Sequence, residues 1–79
     1  MTKSEVLEKV QGIIRDHFDD ESLDITPETV AADVDDWDSL EHINLITRME
    51  KEFSIRFTMK EAAGFKNVGD MIDTILRKL

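Results

Sequence analysis

Seventy-nine residues, eighteen of them acidic and ten basic, give a net charge of −8 and room for one small domain spanning 1–79. That field repels nucleic acid and anionic membrane surfaces, and favours partners with basic patches. The chain has no cysteine, which excludes a disulfide scaffold or a cysteine zinc site, and no apolar run approaches the roughly 20 residues of a membrane span. The N-terminus leads straight into an amphipathic pattern without a signal-peptide apolar region, so the expected compartment is cytoplasmic. A monomer is expected on size and charge.

The first helix is predicted from Lys3, because Thr2 and Glu5 have capping-box spacing. Val6, Leu7, Val10, Ile13, Ile14 and Phe18 recur at three and four residues and define its apolar face. Gly12 lies inside it and costs ~1 kcal/mol relative to Ala. The run Asp19-Asp20-Glu21 ends it, and a long connection follows to residue 37. Leu23, Ile25 and Val30 are irregularly spaced there, as in a loop pinned onto a core. Thr26-Pro27-Glu28-Thr29 fits one helical turn with Pro27 at its first position. A loop this long in so small a domain is unusual and often functional.

A second helix is predicted over about Ser39 to Phe53. Asp38 serves as its cap, and Glu41, three residues on, makes a capping-box-like pair with it. At about 100° per residue, Leu45, Ile46, Met49 and Phe53 form the core stripe, while Leu40 and Ile43 lie outside it on the flank of Thr47 and Glu50. Either the long loop folds over those two apolar side chains or they form a docking patch. Phe53 to Phe57 alternates like a strand but has no partner strand, so it reads as an extended connector with apolar side chains inward. Thr58 and Glu61 open a short third helix closed at Gly64. Asn67 caps the last, with Val68, Met71, Ile72, Ile75, Leu76 and Leu79 as its apolar face and Arg77 and Lys78 suiting the dipole of its final turn. The expected fold is all-α: a small four-helix bundle, three main helices plus a short third, with a long loop between helices one and two.

Ser39 is the candidate site. It falls in the first turn of helix two, at the positive end of the dipole, where a phosphate is well placed. Asp35, Asp36, Asp38 and Glu41 surround it in sequence. Asp38, Ser39 and His42 do not make a hydrolytic triad, because one helical turn supplies neither an oxyanion hole nor a pocket. His42 is better read as packed against the loop. A calcium loop starting at Asp33 fails as well: its fifth position is Trp37, its sixth Asp38 and its twelfth Asn44. No metal site is expected. Trp37 alone would be a core-edge anchor.

Asp38-Ser39-Leu40, at the head of helix two and after a long loop in an acidic chain of this helix order, resembles the Asp-Ser-Leu signature of the acyl carrier protein family. The similarity runs over essentially the whole chain. It implies that Ser39 carries 4′-phosphopantetheine, attached by a phosphopantetheinyl transferase from coenzyme A with Mg²⁺. The arm's thiol would hold acyl groups as thioesters, a chemistry for which this chain has no thiol of its own. The chain would then be a carrier and not an enzyme, serving a fatty-acid, polyketide-like or specialised lipid pathway. Its further partners would be acyl-loading, condensing or acyltransferase enzymes with basic docking patches. Asp38, Leu40, Glu41, Ile43 and Thr47 fall where the family meets its enzymes. Departures are Asp36-Trp37 before the signature, the polar Thr47, and Lys51, Arg56, Lys60 and Lys66 on an edge that is usually more acidic. They lean towards a specialised pathway, with Trp37 shaping specificity for a partner or packing beside the arm. The alternatives are a peptidyl or aminoacyl carrier and, in a different class, an acidic helical adaptor that is never modified.

Overall fold

The computed structural model describes all residues, 1–79. Its order is α1 (Lys3–His17), a 3-10 turn (Ala31–Asp33), α2 (Ser39–Phe53), α3 (Met59–Ala63) and α4 (Val68–Lys78), with no strand. The expected all-α bundle with a short third helix is what forms. α1 packs against both α4 and α2, and sixteen buried apolar side chains from all parts of the chain except α3 and the 3-10 turn make one core.

Local chemistry starts each helix. Thr2 Oγ1 accepts from Glu5 N at 3.2 Å while Glu5 Oε1 accepts from Thr2 N at 2.8 Å, the reciprocal capping box at the head of α1. Thr58 and Glu61 repeat it for α3. Asn67 Oδ1 accepts from Asp70 N at 2.8 Å for α4. α2 ends in Ser54, a left-handed residue at φ 55° whose N–H donates to Glu50 O. Gly64 closes α3 in a right-handed conformation, at φ −90°. What it supplies is room, since a Cβ there would lie 3.2 Å from Lys60 O.

Two sequence expectations need correction, and one buried residue carried no signal. Thr26–Thr29 makes one turn, with Thr29 N donating to Thr26 O at 3.0 Å, and goes no further. The carbonyls that would continue a helix are taken by α4 instead: Pro27 O by Gly69 N at 2.8 Å and Thr29 O by Val68 N at 2.9 Å. The helical turn of the loop lies later, at Ala31–Asp33, where Asp33 Oδ2 accepts from Val30 N at 3.0 Å. Leu79 lies past the end of α4 and is exposed, whereas Thr74, unmarked by the apolar pattern, is buried. Arg77 covers Thr74 with a bond of 3.0 Å to its hydroxyl.

The connector after α2 points inward as its alternation requires, with Ile55 buried and Phe57 edge-on to Phe65 at 5.4 Å. The long loop is held to α1 by Gln11 Nε2 on Ile25 O at 2.7 Å and Arg15 Nε on Leu23 O at 2.8 Å. Held from both sides, it delivers its last residues to the head of α2 in one fixed arrangement.

Candidate functional site at the head of α2

Asp38 has extended backbone, and its Oδ1 accepts from Glu41 N at 2.8 Å. Ser39 is the first helical residue. It is exposed, and no other group of the chain bonds its hydroxyl. The N–H groups of Ser39 and Leu40 have no intrahelical acceptor, as at any helix start, and they open on solvent beside that hydroxyl.

Glu41 departs from expectation. The pairing with Asp38 is one-sided, because Asp38 N donates to Asp36 O rather than to the Glu41 side chain. Glu41 Oε1 turns to α1, 3.2 Å from His17 Nε2, and takes the Asn44 amide at 3.2 Å. A half-buried carboxylate with these two partners has less left to offer a docking enzyme than a free rim glutamate.

Leu40 and Ile43 are 67% and 62% exposed, so the loop does not fold over them. Leu45, Ile46, Met49 and Phe53 are buried, as the wheel predicts. Thr47 is exposed on the same flank as Leu40 and Ile43, and its hydroxyl donates to Ile43 O at 3.1 Å. The polarity expected to interrupt the apolar flank is therefore spent within the helix.

Trp37 corrects the expectation of a partner-facing residue. It is only 8% exposed and belongs to the core. Its ring lies 5.7 Å from Phe18 and 6.0 Å, stacked, from His42. Its Nε1–H donates to His42 Nδ1 at 3.0 Å, and His42 Nε2 meets Ala62 O of α3 at 3.0 Å. Because Nδ1 accepts, the neutral ring carries its proton on Nε2 and donates it to Ala62 O. A polar ring-to-ring link thus joins the loop, the head of α2 and the end of α3. Sequence reading left His42 without a named partner. The signal was a lone histidine near the core arc, one turn from a tryptophan, but its second partner lies twenty residues away.

Known proteins resemble this chain along nearly its whole length. The family model for a phosphopantetheine attachment site matches residues 8–75. The acyl carrier protein of Thermosynechococcus vestitus is 35% identical over 79 residues, covering 100% of this chain and 98% of the relative. That of Porphyromonas gingivalis is 34% identical over 76 residues, covering 96% and 97%. Among solved structures, the solution structure of holo acyl carrier protein from Geobacter metallireducens superposes with a TM-score of 0.86 at 44% identity, covering 92% of this chain and 84% of that one.

The prosthetic group of this family is 4′-phosphopantetheine, and the head of α2 fits it: an exposed, unengaged hydroxyl beside free N–H groups at a helix start. Carriers of this kind work with transferases and acyl-handling enzymes and are not themselves enzymes. No helix here is long and apolar enough to cross a membrane. Taken together, the bundle, the serine at the head of α2 and likeness along the whole chain make this a member of the acyl carrier protein family.

Proposed function

We propose that Ser39 is the attachment point of the phosphopantetheine arm, and that the exposed flank of α2 is where partner enzymes dock. The observation that carries the reading is the isolation of Ser39: the one hydroxyl in the Asp38-Ser39-Leu40 signature, solvent-facing and unbonded, at the end of a helix whose first N–H groups are free. In the transfer, Ser39 Oγ forms a bond to the phosphorus bearing the pantetheine of coenzyme A. The pyrophosphate P–O bond breaks, 3′,5′-ADP leaves, and the hydroxyl proton passes to a base on the transferase. When attached, the group supplies a thiol for thioester formation.

The chain's own residues do the rest. Asp38 fixes the start of α2 and hence where Ser39 emerges. Leu40 and Ile43 give an enzyme two apolar anchors within one turn of the serine, with Thr47 one turn further on. Asp35 and Asp36 are exposed beside them and, with the net charge of −8, steer partners carrying basic patches. Tethering then holds the cargo at high effective concentration for each enzyme in turn. The unit is a single carrier domain, 1–79, acting as a cytoplasmic monomer. Lys51, Arg56 and Lys60 are exposed on and around the α2–α3 edge and favour a specialised lipid or polyketide-like pathway over bulk fatty-acid synthesis.

Incubation with coenzyme A, Mg²⁺ and a broad-range phosphopantetheinyl transferase is expected to add one phosphopantetheine by intact mass. Ser39→Ala is expected to abolish the adduct entirely. An adduct that persists in Ser39→Ala moves the site elsewhere, and no adduct with several transferases favours the unmodified adaptor.

A further inference from the structure

Ser39 is placed through its backbone alone. Its hydroxyl is exposed and bonds nothing else in the chain, so whatever aims it at an incoming phosphorus must hold the residues on either side. It also lies in the first turn of a helix, where backbone bonds are fewest and fraying begins.

The helix starts meet this problem differently. α1 and α3 open with boxes closed in both directions. α2 has only the forward half, Asp38 Oδ1 on Glu41 N, because the Glu41 carboxylate is drawn away to His17 and Asn44. What closes α2 in its stead is a pair of rings. Trp37 Nε1–H donates to His42 Nδ1 at 3.0 Å, with Asp38-Ser39-Leu40-Glu41 between the two residues. Each end of this bond is fixed independently. Trp37 is buried against Phe18, and its backbone N–H donates to Val34 O at 3.0 Å. His42 donates its backbone N–H to Asp38 O at 2.8 Å, and its Nε2 meets Ala62 O at 3.0 Å. Fraying of the first turn would part the rings and leave the buried indole N–H without an acceptor, an outcome that buried donors resist.

We propose that Trp37 and His42 are positioning residues for the modification: their ring-to-ring bond takes the place of the missing half of the capping box and holds the first turn of α2, so that a docked chain presents Ser39 Oγ in one place. The inference rests on the reading of Ser39 as the attachment point. Neither ring bonds the Ser39 hydroxyl, and both act through the backbone. The carrier is the substrate of the transferase, which separates two roles. Cutting a link that only keeps the chain folded lowers the competent fraction and raises the apparent KM. Cutting a link that aims Ser39 in the docked complex lowers kcat, since a misplacement of about 1 Å costs up to about a hundredfold.

The test begins with the native chain. Amide exchange compares the N–H groups of Val6, His42 and Ala62, each bonded to the carbonyl of its own helix cap. After correction for intrinsic rates, His42 is expected to exchange about tenfold more slowly than the other two; exchange no slower than theirs overturns the proposal. Trp37→Phe and His42→Phe then remove the bond while keeping an aromatic ring on each side. In both, protection is expected to fall at Glu41 and His42 and to persist at Ile46 and Met49. With coenzyme A, Mg²⁺, a broad-range phosphopantetheinyl transferase and the chain as varied substrate, kcat is expected to fall about tenfold or more, with KM within about twofold. An unchanged kcat in the folded variants, or exchange that rises equally at Ile46 and Met49, reduces the rings to packing and overturns the proposal. If neither variant folds, exchange in the native chain decides. Absence of any mass adduct on the native chain is a different failure, that of Ser39 as the attachment site, and leaves the exchange comparison standing.

Discussion

The two faces of α2 are built from the same side chains and meet opposite surroundings. Leu45 and Ile46 are buried in the core, at 0% and 7% exposure. Leu40 and Ile43 stand in solvent at the head of the same helix. Composition does not separate the pairs. What separates them is angle around the helix, and the residues that α1 and α4 bring to one side only. Leaving Leu40 and Ile43 in water forgoes the ~25 cal/mol stabilisation per Å² that burial supplies. A chain this small has little stability to spare, so two large apolar side chains left outside beside Ser39 point to use on that side.

The comparison can be broken most directly by truncation on each face. Leu45→Ala is expected to cost about 2–5 kcal/mol in urea unfolding, the range for emptying a fully buried leucine site. Leu40→Ala is expected to stay within about 0.5 kcal/mol of the native chain. Equal losses would show that the exposed face contributes packing and is not reserved for partners. Function is expected to invert the ranking. Ile43→Asp should slow phosphopantetheine or acyl transfer with little change in the unfolding midpoint; if it melts the bundle instead, Ile43 is a core residue. Asp38→Ala ranks below these in stability. It is expected to lose about 1 kcal/mol, the worth of an N-cap, and to slow modification because Ser39 is then less firmly placed. Normal transfer in Asp38→Ala would detach the cap from the site.

Local signals carried most of the fold. The Thr2–Glu5 and Thr58–Glu61 boxes, the Asn67 cap and the period of Leu45, Ile46, Met49 and Phe53 are each written within one or two turns of sequence, and each helix starts or faces where they say. The place of Ser39 at the head of α2 was legible for the same reason, since a helix start is a local event. What stayed illegible depends on distant partners. Thr26–Thr29 reads as a helical turn until Val68 and Gly69 take its carbonyls. Glu41 reads as half of a box until His17, twenty-four residues back, claims it. Trp37 reads as a core-edge anchor, a specificity residue or a contact of the arm until Phe18 and His42 enclose it. In each case the sequence names a group able to bond or pack, and only the tertiary arrangement chooses its partner.

The smallest contrast lies between the caps. In α1 and α3 the glutamate of the box returns to the cap backbone, and in α2 it does not. The Thr2 backbone N–H, with help from its hydroxyl, holds the Glu5 carboxyl below its ordinary value of 4.5. The Thr58 N–H, and then Lys78, do the same for Glu61. A carboxyl whose folded pKa is depressed contributes stability that is present above the unfolded value. That contribution is lost as pH falls through the folded one. Glu5 is exposed and Glu61 partly so, so the effect is screened and the expected loss is local fraying. Acidification from pH 6 through the depressed folded values is therefore expected to release the Thr2 and Thr58 amides from their carboxylate acceptors, seen as shifts of those two backbone N–H signals. Glu5→Gln and Glu61→Gln should flatten those titrations one at a time. Lys78→Ala should move the Glu61 transition to higher pH, because it removes one of the interactions favouring the charged form. If the Thr58 amide does not move as Glu61 takes up its proton, the carboxylate return is not what starts α3. The end of the helix that receives His42 through Ala62 would then owe its placement to that link and to Phe65 instead.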